Sequence, residues 1–288
     1  FDNGTKIQEW DDNEIPSPEY PNSMDIKITN QCDLGCPYCH EKSVPNGSQA
    51  NLEILHNLLS DLPKGTELAL GGGNPLSHSQ LVPFLYDCKE SGLIVNMTVN
   101  GKHVEKAIEP LNLFMKQKLI YGLGISIDET FDFDILNKFD DTSNIVFHVI
   151  AGVHDISILD KIKESKVKKV LILGYKEVGR GVEYFDESVK QIKNQWYNNI
   201  DKYIRVIQLS FDNLAISQLD IKRFVPDRKW KEFYMGTDGQ FTMYIDAVEF
   251  KYAVSSTSKE KFPIEGSIKD IFKQVRTISG NIENSDIS

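Results

Sequence analysis

No stretch of the 288 residues approaches the roughly 18 consecutive apolar side chains that cross a bilayer, so the sequence offers no membrane span. The opening residues, Phe1-Asp-Asn-Gly-Thr-Lys6, contain no apolar core of the kind a signal peptide needs. Basic residues are in deficit: 32 Lys and Arg against 42 Asp and Glu leave a formal charge of −10 and a pI near 5.2. That balance argues against a general binder of nucleic-acid backbones. The basic run at Lys161–Lys169 fits a solvated helix face followed by a strand start. Cysteine is scarce, with four in the chain, and three of them crowd into one short stretch. Such usage is unlike the framework of a disulfide-rich secreted domain, so a reducing, cytoplasmic setting is expected. Low-complexity tracts are also absent, and no repeat is visible beyond a βα alternation.

What is present is an ordinary globular composition, 40% hydrophobic, which excludes global disorder. Residues 1–22, with three prolines and Trp10 as their anchor, read as an irregular arm or a short strand pair laid over the main body. Apolar alternation then predicts strands over Met24–Thr29, Thr66–Leu70, Ile94–Val99, Leu119–Ile127, Ile145–Ile150 and Val167–Leu173, with a seventh over Tyr203–Leu209. Helical spacing intervenes over Asn51–Leu62, Ser77–Ser91, Val104–Lys116, Ile156–Ser165 and Glu183–Trp196. Parallel strands with helical crossovers over residues 23–224 fit a partial (β/α)6 barrel, an α/β fold, better than an open sheet. The pattern changes after residue 225. A β-hairpin over Gly239–Val254 and a short amphipathic helix over Ile268–Arg276 form a C-terminal extension, 225–288, ending in a polar tail.

The chemistry concentrates in Asn30-Gln-Cys-Asp-Leu-Gly-Cys-Pro-Tyr-Cys-His40, directly after the first strand. Cys32, Cys36 and Cys39 have the spacing CxxxCxxC, so their thiolates can converge on one soft metal centre. A closed zinc site needs a fourth ligand. His40 is the candidate, although adjacent side chains seldom reach one tetrahedral ion. A [4Fe–4S] cluster held by three cysteines would leave one iron open. Cys36-Pro-Tyr-Cys39 also matches a redox dithiol, and with His40 a c-type haem attachment string. The haem reading needs export. The dithiol reading needs a helix at once after the pair, whereas the next helix begins about ten residues on, and it leaves Cys32 without a role.

With its βα context, this motif resembles the radical S-adenosylmethionine (SAM) superfamily over roughly Met24 to Leu209. The resemblance implies that Cys32, Cys36 and Cys39 hold three irons of a [4Fe–4S] cluster and that SAM chelates the fourth. An electron from the cluster then cleaves SAM to methionine and a 5′-deoxyadenosyl radical, which takes hydrogen from a substrate. Tyr38, just before the last cysteine, would pack near the adenine. The family's Gly-Gly-Glu-Pro string, which receives the methionyl ammonium, appears here as Gly72-Gly73-Asn74-Pro75. Asn in place of Glu keeps an amide acceptor but loses a charge-assisted bond. By the same resemblance Asn100, in Thr98-Val-Asn-Gly101, matches the family's Thr-Asn-Gly among its SAM-binding positions. Ser126 and Asp128 lie where the family often bonds the SAM ribose or carboxylate, and Lys176 and Arg180 would offer a cation to the SAM carboxylate.

Two substrate classes follow from the resemblance. The hairpin tail favours a peptide or protein side chain; a compact chain without further cysteine clusters favours a small metabolite or nucleobase, as in deazaguanine synthases. A low-potential donor such as a flavodoxin is implied as electron source. An alternative of another class is a SAM- and cluster-binding protein without turnover. Cys88 reads as a core cysteine, His56, His78 and His103 as surface or capping residues, and the acidic stretch Asp128–Asp134 as a solvated loop. His148, inside the fifth strand, faces either the core or the barrel lumen.

Overall fold

Alternation along each strand decides which side chains meet the helices and which meet the interior. On β3 (Ile94–Asn100), Val95, Met97 and Val99 are buried, while Asn96, Thr98 and Asn100 lie half-exposed on the opposite face. β1 (Ser23–Thr29) buries Met24, Ile26 and Ile28 in the same way. The apolar faces of β2 (Glu67–Gly72), β4 (Gly122–Ser126), β5 (Ile145–Ile150) and β6 (Lys169–Leu173) continue this layer. Helices α1 (Leu52–Leu58), α2 (Leu81–Glu90), α3 (Gly101–Val104), α4 (Ile108–Lys116) and α5 (Ile158–Glu164) cover it, followed by α6 (Gly181–Tyr184) and α7 (Glu187–Asn199). Cys88 is fully buried in this core, as its helical position suggested.

The computed structural model describes residues 18–285, so the arm expected over 1–22, including its Trp10 anchor, lies outside the described residues up to residue 17. All β1-to-β6 neighbours pair in parallel and in sequence order, and β7 (Gln208–Phe211) adds to β6. On the other side β8 (Thr242–Asp246) joins β1 in parallel, followed by antiparallel β9 (Lys251–Ala253) and β10 (Phe262–Pro263). The ten-stranded sheet is thus an open, partial barrel, as expected. The chain passes from β7 to β8 through α8 (Asn213–Leu219) and α9 (Asp227–Phe233). Asn213 Nδ2, just after β7, donates to Asp238 Oδ1 at 2.6 Å and to the Gly236 carbonyl at 3.2 Å, just ahead of β8. Among the described residues no helix is long and apolar enough to cross a membrane.

Several boundaries differ from the expectations. The seventh strand begins at Gln208, because the Tyr203 carbonyl accepts from Val206 N–H and Ile207 N–H and closes a turn there. The helix expected from Ser77 starts at Leu81, since Pro75–Ser77 forms a separate 3₁₀ turn capped by Asn74. The last helix, α10, runs from Ile268 to Ser285, well past Arg276; residues 286–288 lie outside the described residues. His78, expected as a surface or capping residue, is the C-cap of that 3₁₀ turn but is buried, 5% exposed, with Nε2 3.0 Å from the Ala50 carbonyl.

Candidate active site

The cysteine loop leaves β1 at its C-terminal end, the mouth where sites of such barrels are built. Its backbone is satisfied largely from outside the cysteine segment. Asn30 N–H donates to the Ser48 carbonyl at 2.8 Å and Cys32 N–H to Val44 at 2.9 Å. From the loop after β6, Arg180 N–H donates to the Cys39 carbonyl at 3.0 Å, its Nε to Cys36 at 2.9 Å and its Nη1 to Ser43 at 3.1 Å. A Cβ at Gly179 (φ +62°) would overlap the His40 carbonyl, so glycine permits this close approach. The thiols themselves stay free and half-buried.

Cys32 and Cys36, so placed, disfavour their own ionisation. Burial pushes Cys32 up from the ordinary thiol range, with Asp33 and Cys39 adding repulsion. Burial likewise raises Cys36, followed by repulsion from Cys39 and Cys32. A cationic centre among them would offset this repulsion, so the donor set fits a metal group. Single-ion geometry fits less well. A tetrahedral zinc site would bring sulfurs to about 3.8 Å of one another, from Zn–S bonds of about 2.3 Å. Among the described residues the set of three ligand atoms gathered within 4.8 Å is Cys32, Asp33 and His103, not the three cysteines.

Immediately beyond the cysteines lies a buried charge network that sequence patterning did not reveal. Lys27 Nζ, on β1, is 2.9 Å from Glu41 Oε2 and 3.0 Å from Asp246 Oδ2 on β8. These three side chains are 5%, 8% and 1% exposed, so the pairing is protected from solvent screening. Lys261 lies 3.5 Å from Asp246, His40 Nε2 is 3.3 Å from Glu41, and the Tyr244 hydroxyl donates to Glu41. The network joins the cysteine loop to the strand that follows residue 240. Its only sequence signal was Lys27 on an alternating strand, which marks it no more than it marks Asp25.

The remaining expected residues also gather at the mouth, but many are engaged with protein. Cβ atoms at Gly72 and Gly73 would overlap the carbonyls of Thr29 and Gln31, so this glycine pair packs directly on the root of the cysteine loop. Asn74 Oδ1 accepts from Leu76 N–H at 3.2 Å, and Asn100 Oδ1 from Lys102 N–H at 3.0 Å, so both amides cap turns. Asp128 accepts from the Thr130 N–H and hydroxyl and pairs with Lys102 at 3.0 Å. Asp132 caps the 3₁₀ turn Phe133–Lys138 within what was expected to be a plain solvated loop. Asn100, Ser126 and Asp128 line one cleft of about 180 Å³. Lys176 Nζ donates to Ser256 Oγ at 2.9 Å and lies 3.4 Å from His40 Nε2. Pro75 is buried and opens the turn that Asn74 caps.

A smaller slot of about 50 Å³ is lined by Tyr38, His40, Ile150, Val153, Leu173, Gly174, Tyr175 and Lys176. Tyr38 meets His154 and Tyr184 edge-on, with ring centroids 6.0 and 5.6 Å away. The apolar residues of this slot come from the ends of β5 and β6. In the sequence they are indistinguishable from core residues.

No family model matches the chain. A probable GTP 3′,8-cyclase of Methanothermobacter thermautotrophicus is 31% identical over 88 residues, covering 29% of this chain and 28% of its own length. The PqqA peptide cyclase of Methylorubrum extorquens is 23% identical over 244 residues, 74% of this chain and 59% of that protein. The chain thus spans well under two thirds of these curated relatives. Among solved structures, Streptococcus suis SuiB bound to the precursor peptide SuiA superposes with a TM-score of 0.61 at 15% identity, covering 88% of this chain and 65% of that one. SuiB bound to S-adenosylmethionine gives 0.61 at 13% identity, with 90% and 68% covered.

Proposed function

We propose that this chain, whose cysteine motif, partial barrel and relatives are those of the radical SAM superfamily, is an enzyme that reductively cleaves SAM to abstract hydrogen from a peptide or protein side chain. The observation that carries the reading is the cysteine loop: three free thiols at the mouth of a parallel barrel, on a backbone held by Arg180. A [4Fe–4S] cluster held by Cys32, Cys36 and Cys39 would supply, with SAM, the 5′-deoxyadenosyl radical. Free thiols of this kind suit a reducing cytoplasm, and a flavodoxin-like protein would be the electron donor.

The chain's own task is to bind and orient. Tyr38, Ile150, Val153 and Leu173 line a small, partly apolar slot against which one edge of an adenine ring would pack. The Gly72–Gly73 segment brings backbone to the edge of the cysteine loop, where its carbonyls suit a methionyl ammonium. Asn74 is held as a cap and supplies no charge there. Ser126 faces the mouth beside Asp128 and suits a ribose hydroxyl. Lys176 is the cation placed nearest that slot, whereas the Arg180 guanidinium is engaged with the cysteine loop.

The peptide is favoured over a phosphorylated metabolite by the charges of the interior. A triphosphate needs uncommitted cations. Lys27 is held by two carboxylates, and Lys176 stands among Asp25, Asp212 and Asp238. The PqqA peptide cyclase and SuiB comparisons point the same way.

Anaerobic reconstitution with iron and sulfide, then reduction with dithionite in the presence of SAM, tests the reading. About four irons per chain and formation of 5′-deoxyadenosine are expected in the wild type. Cys36→Ala should lose both. Tight zinc with no cluster would refute the proposal, and a cluster with bound SAM that is never cleaved would favour a binding protein.

A further inference from the structure

The interior of the barrel has two unlike walls. On one side Asp25, on the open face of β1, is enclosed enough by the strands that desolvation, and then the nearby Asp238 and Asp212, push its carboxyl up against the opposing pull of Lys176. The other wall, built by β3, β4 and β5, carries no charge on its interior positions. There β4 presents Gly122 and Gly124. A Cβ at Gly122 would come within 2.7 Å of Asn96 Oδ1, and one at Gly124 within 2.6 Å of His148 Nε2 and 3.0 Å of Thr98 Oγ1. The glycines therefore clear β4 so that its neighbours' polar side chains lie across it.

Register puts these groups on one patch. Asn96 is level with Gly122, Thr98 with Gly124, and Ser126 with His148. Asn96, Thr98 and Asn100 share a face of β3, so the patch runs from the mouth about 13 Å inward at the usual strand rise of about 3.3 Å per residue. Among the described residues the side chains of Asn96, Thr98 and His148 have no hydrogen-bond partner, although all three are partly enclosed. Burial holds His148 neutral, its pKa pushed down to about 4. Being only half-buried, the three groups stay open to water, so their hydrogen-bonding positions are free to meet a ligand that enters the barrel.

We propose that Asn96, Thr98 and His148 form the substrate-recognition patch of the barrel, and that it takes a neutral amide: a peptide unit or a carboxamide side chain. The inference rests on the reading of the chain as a peptide-directed enzyme and specifies what that site grips. Each of the three groups can both donate and accept, which matches an amide's N–H and C=O. A phosphate or carboxylate would meet no cation on this wall and would face the carboxylates opposite. A cation would be drawn to that opposite wall instead.

The test uses the full chain labelled with [¹³C,¹⁵N]histidine and N-acetylglycine-N-methylamide, a capped peptide unit, as probe. Saturable shifts of the His148 ring resonances are expected, at least fivefold larger than with equimolar acetate or guanidinium. Thr98→Val, which keeps shape and removes the hydroxyl, should weaken the probe's apparent affinity about threefold to tenfold, in line with one lost hydrogen bond. No shift, an equal shift with acetate or guanidinium, or an unchanged titration in Thr98→Val would overturn the assignment. The same preparation, reconstituted and assayed for 5′-deoxyadenosine, keeps the two readings apart. Probe binding without SAM cleavage removes the enzyme reading, and cleavage without probe binding removes only the patch.

Discussion

Two loops at the barrel mouth are rich in polar residues and behave oppositely. In the loop after β4, polar side chains serve their own backbone: Asp128 accepts from Thr130, Asp132 from Asp134, and Lys102 neutralises Asp128. In the loop after β1 the arrangement is reversed. In its cysteine segment the backbone is met by Arg180 from the loop after β6 and by the backbone of Val44 and Ser48 farther along the chain, not by the segment's own side chains, and the thiols are left free. A loop keeps side chains available for a ligand when the rest of the fold satisfies its backbone. By that criterion the cysteine loop is built for binding and the acidic loop for shape.

The comparison breaks most sharply at Glu41. Glu41→Ala leaves Lys27 buried beside Asp246 alone and removes the acceptor of the Tyr244 hydroxyl. Breaking one partner of such a pair costs about 3–5 kcal/mol. Urea unfolding of the unloaded protein should show a loss of that size. Neutralising the whole triad, as Lys27→Met with Glu41→Leu and Asp246→Asn, should restore much of it; a single variant within about 1 kcal/mol of wild type would show that the network does not support the loop.

Arg180 is the next step down. Arg180→Ala removes two charge-assisted bonds, to Cys36 and Ser43, and keeps the backbone bond to Cys39. A loss of about 2–3 kcal/mol is expected, smaller than for Glu41 because the acceptors left behind are neutral carbonyls and no buried charge loses its partner. Reconstituted Arg180→Ala should also surrender iron to a chelator faster than wild type, with Arg180→Lys intermediate. Equal iron loss in all three would end the description of Arg180 as the clasp of this loop.

How much of this was legible beforehand follows the same division. The cysteines could be read because spacing on one short loop is itself the signal, and the strands because their apolar alternation is strong. The glycine pair Gly72–Gly73 was legible as a motif, but its packing on Thr29 and Gln31 was not, since that contact joins distant segments. Arg180 was visible as a cation at a strand end; that it faces the Cys36 carbonyl depends on how two loops meet. Lys27, Glu41 and Asp246 are separated by up to 219 residues, and nothing local marks them as partners. Asn74 and Asn100 fit ligand-binding positions and turn caps equally well in sequence, and the structure uses both as caps.

Asp128 marks the lower limit of the comparison. Burial pushes its carboxyl upward, but bonds from the Thr130 hydroxyl, Lys102 and the Thr130 N–H outweigh this and hold it below the usual carboxylate range. A group whose folded pKa is depressed contributes stability above its unfolded pKa, near 3.9, and loses it as pH falls through the lower folded value. Asp128→Ala should therefore flatten the stability profile slightly below about pH 4 and leave it nearly parallel to wild type at neutral pH. The effect at pH 7 should stay under about 1 kcal/mol, because Lys102 is 58% exposed and the pair is screened by solvent. A larger loss, or one that persists unchanged at pH 2, would mean that Asp128 does more than shape its own turn. The contrast between the two loops would then narrow to the thiols alone.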